Sequence, residues 1–134
     1  MTYKVLLVDD DENILSAFQR EFCKHFDMHL EGGGKEGLEA LESKGPFAVV
    51  VSDFRMPGLN GIQFLGEVSK RAPETVRIML TGHLSQHLAM DALKAGYIFR
   101  FHTKPCPLQY LYKSILEGIE EHQRQTTMLR KIHD

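Results

Sequence analysis

The sequence has little of what marks a secreted, membrane-spanning or nucleic-acid-binding protein. It has two cysteines, Cys23 and Cys106, and their spacing forms no disulfide framework, which favours a reducing compartment. No apolar run approaches the roughly 20 residues that a membrane-spanning helix needs. The formal net charge of −2 gives no basic excess for binding nucleic acid. We therefore expect a cytoplasmic protein with no membrane or direct nucleic-acid contact, and a first strand so close to Met1 leaves no room for a signal peptide.

What the sequence does contain is four hydrophobic runs that each end in a reactive polar side chain. The chain of 134 residues has a one-domain length, and 43% of its residues are hydrophobic. The runs are residues 5–8 before Asp9 and Asp10, 47–52 before Asp53, 76–80 before Thr81, and 98–103 before Lys104. Short runs of this composition predict buried parallel strands.

Helical patterns alternate with these runs. Apolar spacing and Gly or Pro breaks predict helices over residues 13–26, 35–43, 62–71, 85–95 and 107–132, and a weak second strand over 28–30. Five strand–helix units predict an α/β fold with helices on both faces of a doubly wound, five-stranded parallel sheet. The flavodoxin-like strand order 2-1-3-4-5 is the commonest solution, and it opens a crevice between strands one and three, where Asp9, Asp10 and Asp53 would meet.

Such a cluster has a defined chemistry. Carboxylates held a few ångströms apart raise one another's pKa unless a cation compensates them, and Mg²⁺ is the fitting cation because it prefers carboxylate, carbonyl and water oxygens. Lys104 adds a compact positive charge, and Thr81 adds a hydroxyl donor. Since a carboxylate can itself accept a phosphoryl group, this inventory suits phosphoryl transfer.

The motifs together resemble the receiver (CheY-like) domain of two-component response regulators. The matching segments are Val8-Asp9-Asp10, residues 52–61 around Asp53, Leu80-Thr81-Gly82 and Thr103-Lys104-Pro105, and they occur in the order and spacing of that family. We expect a receiver domain over residues 1–122, with the resemblance itself covering about 3–122, and a helical extension over 123–134.

The resemblance implies a role for each acidic residue. Asp53 would be the phosphoacceptor. Mg²⁺ would be bound directly by Asp10, mainly through water by Asp9, and by Asp53 and the backbone carbonyl of Arg55. The phosphoryl donor would be a sensor histidine kinase or a phosphotransfer protein. The domain would not be an enzyme with external turnover.

The resemblance also implies a switch. Lys104 would contact the phosphoryl group, Thr81 would move toward it, and Phe101 would be the aromatic residue that swings inward. This would change the surface of the fourth helix, fifth strand and fifth helix, which would act on an output domain or downstream protein. That surface or the last helix could also form a homodimer.

Arg55 and His83 stand two residues after Asp53 and Thr81, respectively. In the family these positions border the phosphoryl group and influence how fast water removes it. We hypothesise that the two bulky, basic-capable side chains slow this hydrolysis.

Three alternatives need weighing. Residues 32–37 satisfy the dinucleotide pattern G-x-G-x-x-G, but they follow the second strand instead of the first, which favours a simple turn. Asp9 and Asp11 offer the D-x-D opening of haloacid-dehalogenase-like phosphatases, although Asn13 departs from that motif and no acidic pair follows Lys104. His83 and His87 have a metal-like spacing but no third ligand nearby in sequence.

The C-terminal residues leave several readings open. Residues 120–134 are mostly polar and exceed what is needed to cover the sheet, so they could be a linker toward an output domain, a dimer-forming helix or a frayed tail. Residues 99–105 resemble receivers joined to HD-type phosphodiesterases, although Cys106 stands where those proteins often have Trp.

Overall fold

The computed structural model describes residues 2–133 and contains one parallel sheet with the strand order β2-β1-β3-β4-β5. The strands are β1 (Lys4–Val8), β2 (Asp27–Glu31), β3 (Val49–Asp53), β4 (Val76–Thr81) and β5 (Arg100–Thr103). The helices are α1 (Glu12–Phe22), α2 (Gly34–Lys44), α3 (Gly61–Arg71), α4 (Gln86–Lys94) and α5 (Leu108–His133), and a 3-10 turn (His83–Ser85) precedes α4. The predicted α/β flavodoxin-like fold, its strand order and its long last helix are confirmed.

Two apolar layers hold the helices against the sheet. Along β1, Val5 and Leu7 join the core under α1 and α5, whereas Leu6 and Val8 join the core under α2, α3 and α4. All four side chains are buried, because a strand covered on both faces exposes neither side of its pleat. This double burial explains why the central strands are continuous apolar runs.

Helix α1 ends four residues earlier than predicted. Asp11 caps its start, since its Oδ1 accepts a hydrogen bond of 2.9 Å from the backbone N–H of Asn13. The helix stops at Phe22, and a turn carries the chain to Phe26, whose N–H still donates to the carbonyl of Phe22. Phe26 is buried all the same, so the apolar spacing that predicted a longer helix continues through the turn.

Strands β3 and β5 begin two residues later than predicted. Phe47 is fully buried, but its carbonyl accepts a hydrogen bond of 2.7 Å from the Thr75 hydroxyl, and the β3 ladder begins at Val49. Before β5, Ile98 packs into the core under α2, α3 and α4, while Phe99 packs against the core under α1 and α5. The hydrophobic runs therefore predicted correctly which residues are buried, but they placed the start of each strand two residues too early.

The turns around α2 and α4 follow the sequence signals. Gly32 and Gly33 form the turn between β2 and α2, as predicted for the glycine-rich segment. Gly96 follows α4 with a φ of +82°, a left-handed conformation that glycine adopts without the steric cost of a Cβ.

Helix α5 has two different halves. Leu111, Ile115 and Ile119 are buried, and a Cβ on Gly118 would lie 3.1 Å from a side-chain carbon of Val49, so the helix lies close to the sheet. The last apolar side chains, Met128, Leu129 and Ile132, are exposed. The division of the chain after residue 122 stays a prediction. Between residues 2 and 133, no helix combines the length and apolar character that crossing a membrane requires.

Candidate functional site

The carboxyl ends of β1 and β3 bring three carboxylates together. Asp9 and Asp10 follow β1, and Asp53 ends β3, which pairs directly with β1. One carboxylate oxygen from each residue lies within 4.8 Å of the others. Asp9 is fully buried and Asp53 nearly so, while Asp10 is exposed. The structure therefore joins the predicted acidic residues in one cluster at the predicted crevice.

Lys104 supplies the positive charge of this cluster. Its Nζ lies 2.9 Å from Oδ1 of Asp53 and 3.4 Å from Oδ2 of Asp9. Its backbone N–H donates a hydrogen bond of 2.7 Å to the carbonyl of Thr81, which continues the β4–β5 pairing past the end of β5. One ammonium group thus bridges two carboxylates from different strands.

The pKa values of the cluster reflect burial and charge. Burial raises the pKa of Asp9, and the charge of Asp53 adds to this rise, whereas the N–H of Asp11 and the ammonium of Lys104 only partly oppose it. Burial alone would lower the pKa of Lys104, but the hydrogen bonds and charges of Asp53 and Asp9 outweigh burial and raise it. Lys104 therefore stays protonated, and the cluster carries more negative than positive charge.

This donor set fits Mg²⁺. Three carboxylates share one ammonium group, so a divalent cation would compensate charge that the protein leaves uncompensated. Carboxylate oxygens are ligands that Mg²⁺ prefers, and the exposure of Asp10 leaves room for the water molecules that Mg²⁺ usually keeps.

The loop after Asp53 is closed by backbone contacts that the hydrophobic pattern did not reveal. The N–H of Phe54 donates to the carbonyl of Leu80, and its carbonyl accepts from the N–H of Gly61, each at 2.8 Å. A Cβ on Gly61 would lie 2.5 Å from the carbonyl oxygen of Asp53, so only glycine lets α3 begin this close to the strand end. These contacts fix both ends of the segment that carries Arg55.

A capping box holds α3 at the end of that loop. Asn60 accepts a hydrogen bond from the N–H of Gln63, and the Gln63 side chain accepts one from the N–H of Asn60. The Asn-x-x-Gln spacing is a recognisable signal that our reading of the sequence did not use.

The two predicted modulators lie at the mouth of the site. Arg55 and His83 line a cavity of about 330 Å³ together with Asp53, Leu84 and Lys104. Both basic-capable side chains are exposed. The structure therefore brings them to the same cavity as the carboxylate and the ammonium group.

The two predicted switch residues lie on β4 and β5. Thr81 is fully buried, and its hydroxyl donates a hydrogen bond of 3.2 Å to the carbonyl of Gly82. Phe101 is half-buried and packs against the core under α2, α3 and α4. In this conformation the hydroxyl is engaged locally, and the aromatic ring is neither fully exposed nor fully enclosed.

The metal-like histidine spacing does not form a site. His83 lies in the 3-10 turn and His87 in α4. Among residues 2–133, the acidic trio is the one group of three His, Cys, Asp or Glu side chains whose ligand atoms come within reach of a common ion.

Comparison with known proteins agrees with this geometry. The sequence model of the response regulator receiver domain matches residues 5–116. The hydrogenase transcriptional regulatory protein HoxA of Cupriavidus necator is 31% identical over 126 residues, which are 94% of this chain and 26% of that protein. The transcriptional regulator NtrC of Escherichia coli is 32% identical over 127 residues, which cover 90% of this chain and 26% of that protein. The chain thus spans about a quarter of the length of these relatives.

Solved structures give the same result. The adenylate cyclase of Rhodopirellula baltica superposes with a TM-score of 0.97 at 30% identity, over 100% of this chain and 99% of that one. The signal receiver domain of an HD domain-containing protein from Pseudomonas fluorescens Pf-5 superposes with a TM-score of 0.85 at 27% identity, over 92% and 99% of the two chains. Neither the sequence model nor these relatives support the phosphatase alternative.

Proposed function

Because this chain belongs to the response regulator receiver domain family, whose general function is to be phosphorylated on an aspartate, we propose that Asp53 is its phosphoacceptor. The observation that carries this proposal is the position of Asp53, which ends β3 with its carboxylate 2.9 Å from Nζ of Lys104. Asp9 and Asp10 lie beside it. Asp9 is fully buried and bound to Lys104, and Asp10 is exposed, so Asp53 best combines cation contact with access to the cavity.

The proposed step is a transfer from a phosphohistidine. A carboxylate oxygen of Asp53 attacks phosphorus, the P–N bond breaks, and the histidine nitrogen leaves with the electron pair of that bond. The phosphoryl group then forms an acyl phosphate on Asp53. Lys104 holds the carboxylate before the attack and balances the charge of the phosphoryl oxygens after it.

Receiver domains bind Mg²⁺ at an acidic cluster, and here the ion would be held by Asp10, Asp53 and the backbone carbonyl of Arg55, with Asp9 acting mainly through water. When bound, Mg²⁺ supplies charge neutralisation for the phosphoryl group. The backbone contacts of Phe54 and Gly61 support this assignment because they fix the loop that carries Arg55.

We further propose that Thr81 and Phe101 are the residues that change conformation on phosphorylation. After phosphorylation, the Thr81 hydroxyl leaves the carbonyl of Gly82 and donates to a phosphoryl oxygen. Phe101 then moves into the space that Thr81 vacates, and this changes the α4-β5-α5 surface. The half-buried position of Phe101 supports this role, because the ring can still gain contact area.

Arg55 and His83 are proposed to lengthen the lifetime of the acyl phosphate. Both line the cavity above Asp53, where attacking water must enter. We expect Arg55→Ala and His83→Ala each to shorten the lifetime, and unchanged lifetimes in both variants would reject this role. Leu84→Ala, which changes a non-basic residue of the same cavity, is the control.

Receiver domains are regulatory, and we propose that this one receives its phosphoryl group from a histidine kinase or phosphotransfer protein and has no external turnover. Residues 1–122 would form the receiver unit. The extension over 123–134 would lead to an output domain or pair with a second copy of the chain. Two superposing structures, one named as the receiver domain of an HD domain-containing protein and one named as an adenylate cyclase, support a regulatory output module as the partner through their names.

One experiment tests the core of this proposal. The protein is incubated with Mg²⁺ and a small acyl phosphate, and its intact mass is measured. We expect one added phosphoryl group, which Asp53→Asn loses and the exposed control Asp91→Asn keeps. Labelling that persists in Asp53→Asn would overturn the assignment, and repeated release of phosphate from many donor molecules that continues in Asp53→Asn would favour a phosphatase.

The association of two copies is tested separately. Sedimentation of the free and phosphorylated protein over a range of concentrations would reveal a dimer. If the exposed apolar side chains of the extension carry it, Met128→Lys with Ile132→Lys abolishes the dimer, whereas a dimer through α4-β5-α5 survives these changes.

A further inference from the structure

Arg77 ties the C-terminal end of α4 to the body of the domain. Its Nε donates a hydrogen bond of 2.7 Å to the carbonyl of Tyr97, in the segment between α4 and β5. Its Nη1 donates to the carbonyl of Thr75 at 2.9 Å and more weakly to that of Pro73 at 3.4 Å. The guanidinium group therefore bridges the segment after α4 to the segment before β4, through charge-assisted bonds to carbonyl groups.

The end of α4 that Arg77 holds is also well ordered by its own backbone. The N–H of Gly96 donates to the carbonyl of Leu93 at 3.1 Å, and the N–H of Tyr97 donates to that of Ala92 at 3.0 Å. Gly96 closes the helix in the left-handed conformation. The carbonyl of Tyr97 accepts the hydrogen bond from Arg77 on β4, so the turn that ends α4 is tied to the sheet.

The other end of α4 has backbone hydrogen bonds, from the N–H of Ser85 to the carbonyl of Gly82 at 3.2 Å and from the N–H of Gln86 to that of His83, but no side-chain anchor like Arg77. The N-cap residue of α4, Ser85, makes no side-chain capping bond, and Gly82 at the start of the 3-10 turn has no side chain to make one. Leu84 in that turn is 81% exposed, and a Cβ on Gly82 would meet nothing within 4 Å. This end directly follows Thr81 and lines the cavity above Asp53.

We propose that Arg77 is a fixed pivot, and that α4 responds to events at Asp53 by tilting about its C-terminal end. Arg77, Met79 and Thr81 share one face of β4, opposite the face of Val76, Ile78 and Leu80, so the anchor and the responsive hydroxyl lie on the same side of one strand, four residues apart. An element held at one end and weakly held at the other converts a small displacement near Thr81 into a tilt. This inference rests on the proposed phosphorylation of Asp53.

The first arm of the test uses the unphosphorylated protein and amide hydrogen exchange. We expect slow exchange at Gly96 and Tyr97 and fast exchange over residues 83–86. Arg77→Met raises the exchange rate at Gly96 and Tyr97 by about tenfold or more, because the last turn of α4 then opens locally. Arg77→Lys, which keeps the charge but cannot bridge the same carbonyls, gives an intermediate rate.

Arg100→Met is the matched control, because Arg100 is an exposed arginine on the neighbouring strand that bonds to the carbonyl of Phe99. It leaves exchange at the end of α4 unchanged. Equal exchange at both ends of α4 in the unchanged protein, or no increase in either Arg77 variant, overturns the pivot. The comparison of exchange rates at the two ends of α4 in the unchanged protein tests the pivot even if Arg77→Met does not fold.

The second arm compares amide chemical shifts with and without Mg²⁺ and beryllium trifluoride, a phosphoryl mimic. We expect large changes over residues 82–90 and small ones over 95–98, and Arg77→Lys spreads the changes into 95–98. Changes that are as large at 95–98 in the unchanged protein contradict the pivot. Labelling of Asp53 by an acyl phosphate is measured in parallel by mass, so a failure of the proposed function is recognised separately.

Discussion

The two ends of the parallel strands use polar groups in different ways. We call the side of the sheet where the strands end its carboxyl edge and the side where they begin its amino edge. At the carboxyl edge, the single ammonium group of Lys104 pairs with the carboxylates of both Asp9 and Asp53, so part of their negative charge is not compensated. At the amino edge, polar side chains donate to main-chain carbonyls: Thr75 to Phe47 and His122 to Glu74, each at 2.7 Å. Under the proposed function the carboxyl edge gains a cation and a phosphoryl group, whereas the polar groups named at the amino edge already have partners.

This contrast predicts that only one of the two edges affects phosphorylation. Substitutions at the carboxyl edge should change phosphorylation and its consequences, and those at the amino edge should change the free energy of unfolding alone. A variant that violates either half of this statement would break the comparison.

The largest expected effect is that of Lys104→Ala. Asp9 is fully buried, so removing its cation leaves uncompensated charge, and we expect a loss of about 3 kcal/mol in the free energy of unfolding without Mg²⁺. The phosphorylated variant should also lack the chemical-shift changes over the α4-β5-α5 surface. Denaturant unfolding and amide spectra check these outcomes, and Lys70→Ala, at an exposed surface pair, is the control. A full conformational response in phosphorylated Lys104→Ala would refute the role of this lysine.

Thr75→Val should have a smaller effect, confined to stability. The substitution leaves the carbonyl of Phe47 without its partner in a fully buried position, so we expect a loss of about 2 kcal/mol in the free energy of unfolding. Thr75→Ser keeps the hydroxyl and should recover most of this loss. Labelling of Asp53 should be the same in all three proteins. Slower labelling in Thr75→Val would show that the two edges are energetically coupled.

A weaker, pH-dependent effect is expected from His102, whose Nε2 lies 2.6 Å from Oγ of Ser114 on α5. Burial lowers the pKa of His102, Arg100 lowers it further, and Glu117 opposes them. As the pH falls below the ordinary pKa of 6.5, His102 is protonated in the unfolded chain before it is protonated in the folded protein. Its contribution to the free energy of unfolding is therefore present above this pH and is lost on acidification.

The measurement compares the free energy of unfolding at about pH 7.5 and about pH 5.5 in the unchanged protein and in His102→Asn, which does not titrate. The unchanged protein should lose more stability on acidification than the variant does. Identical pH dependence in the two proteins would exclude His102 as the cause.

The smallest effect is expected from removing residues 125–134. The apolar side chains of this segment are exposed, so the free energy of unfolding should change by no more than about 0.5 kcal/mol. Ile119→Ala, in the packed half of the same helix, should cost about 3 kcal/mol by comparison. Thermal or denaturant unfolding checks both values. A large loss on truncation would show that the extension packs on the domain.

The sequence predicted the fold well because its three central strands, β1, β3 and β4, are buried on both faces. The runs before Asp53 and Thr81 are short and rich in β-branched residues, as central parallel strands are, and their ends placed the reactive side chains at one edge. The Asp11 cap and the Gly96 turn were also recognisable, because each depends on its own residue type.

Long-range polar contacts could not be predicted in this way. Nothing in the pattern of β4 says that Arg77 will bind carbonyls on two different segments, because carbonyl groups have no sequence signature. The end of α1 was predicted four residues too late, since burial of Phe26 through a turn has the same spacing as burial through a helix. Local signals therefore fixed element type, and tertiary contacts fixed where the elements end.

The contact between Lys104 and Asp9 joins residues 95 positions apart along the chain. The carboxylates of β1 and β3 can meet early in folding, but the ammonium group arrives only when β5, the last strand along the chain, has added to the edge of the sheet. Closing so long a loop also carries an entropic cost that pairings close in sequence do not have. A ribosome-bound chain that ends before β5 would carry the carboxylate of Asp53 without its counterion, so under the proposed function the competence to be phosphorylated would coincide with completion of the sheet.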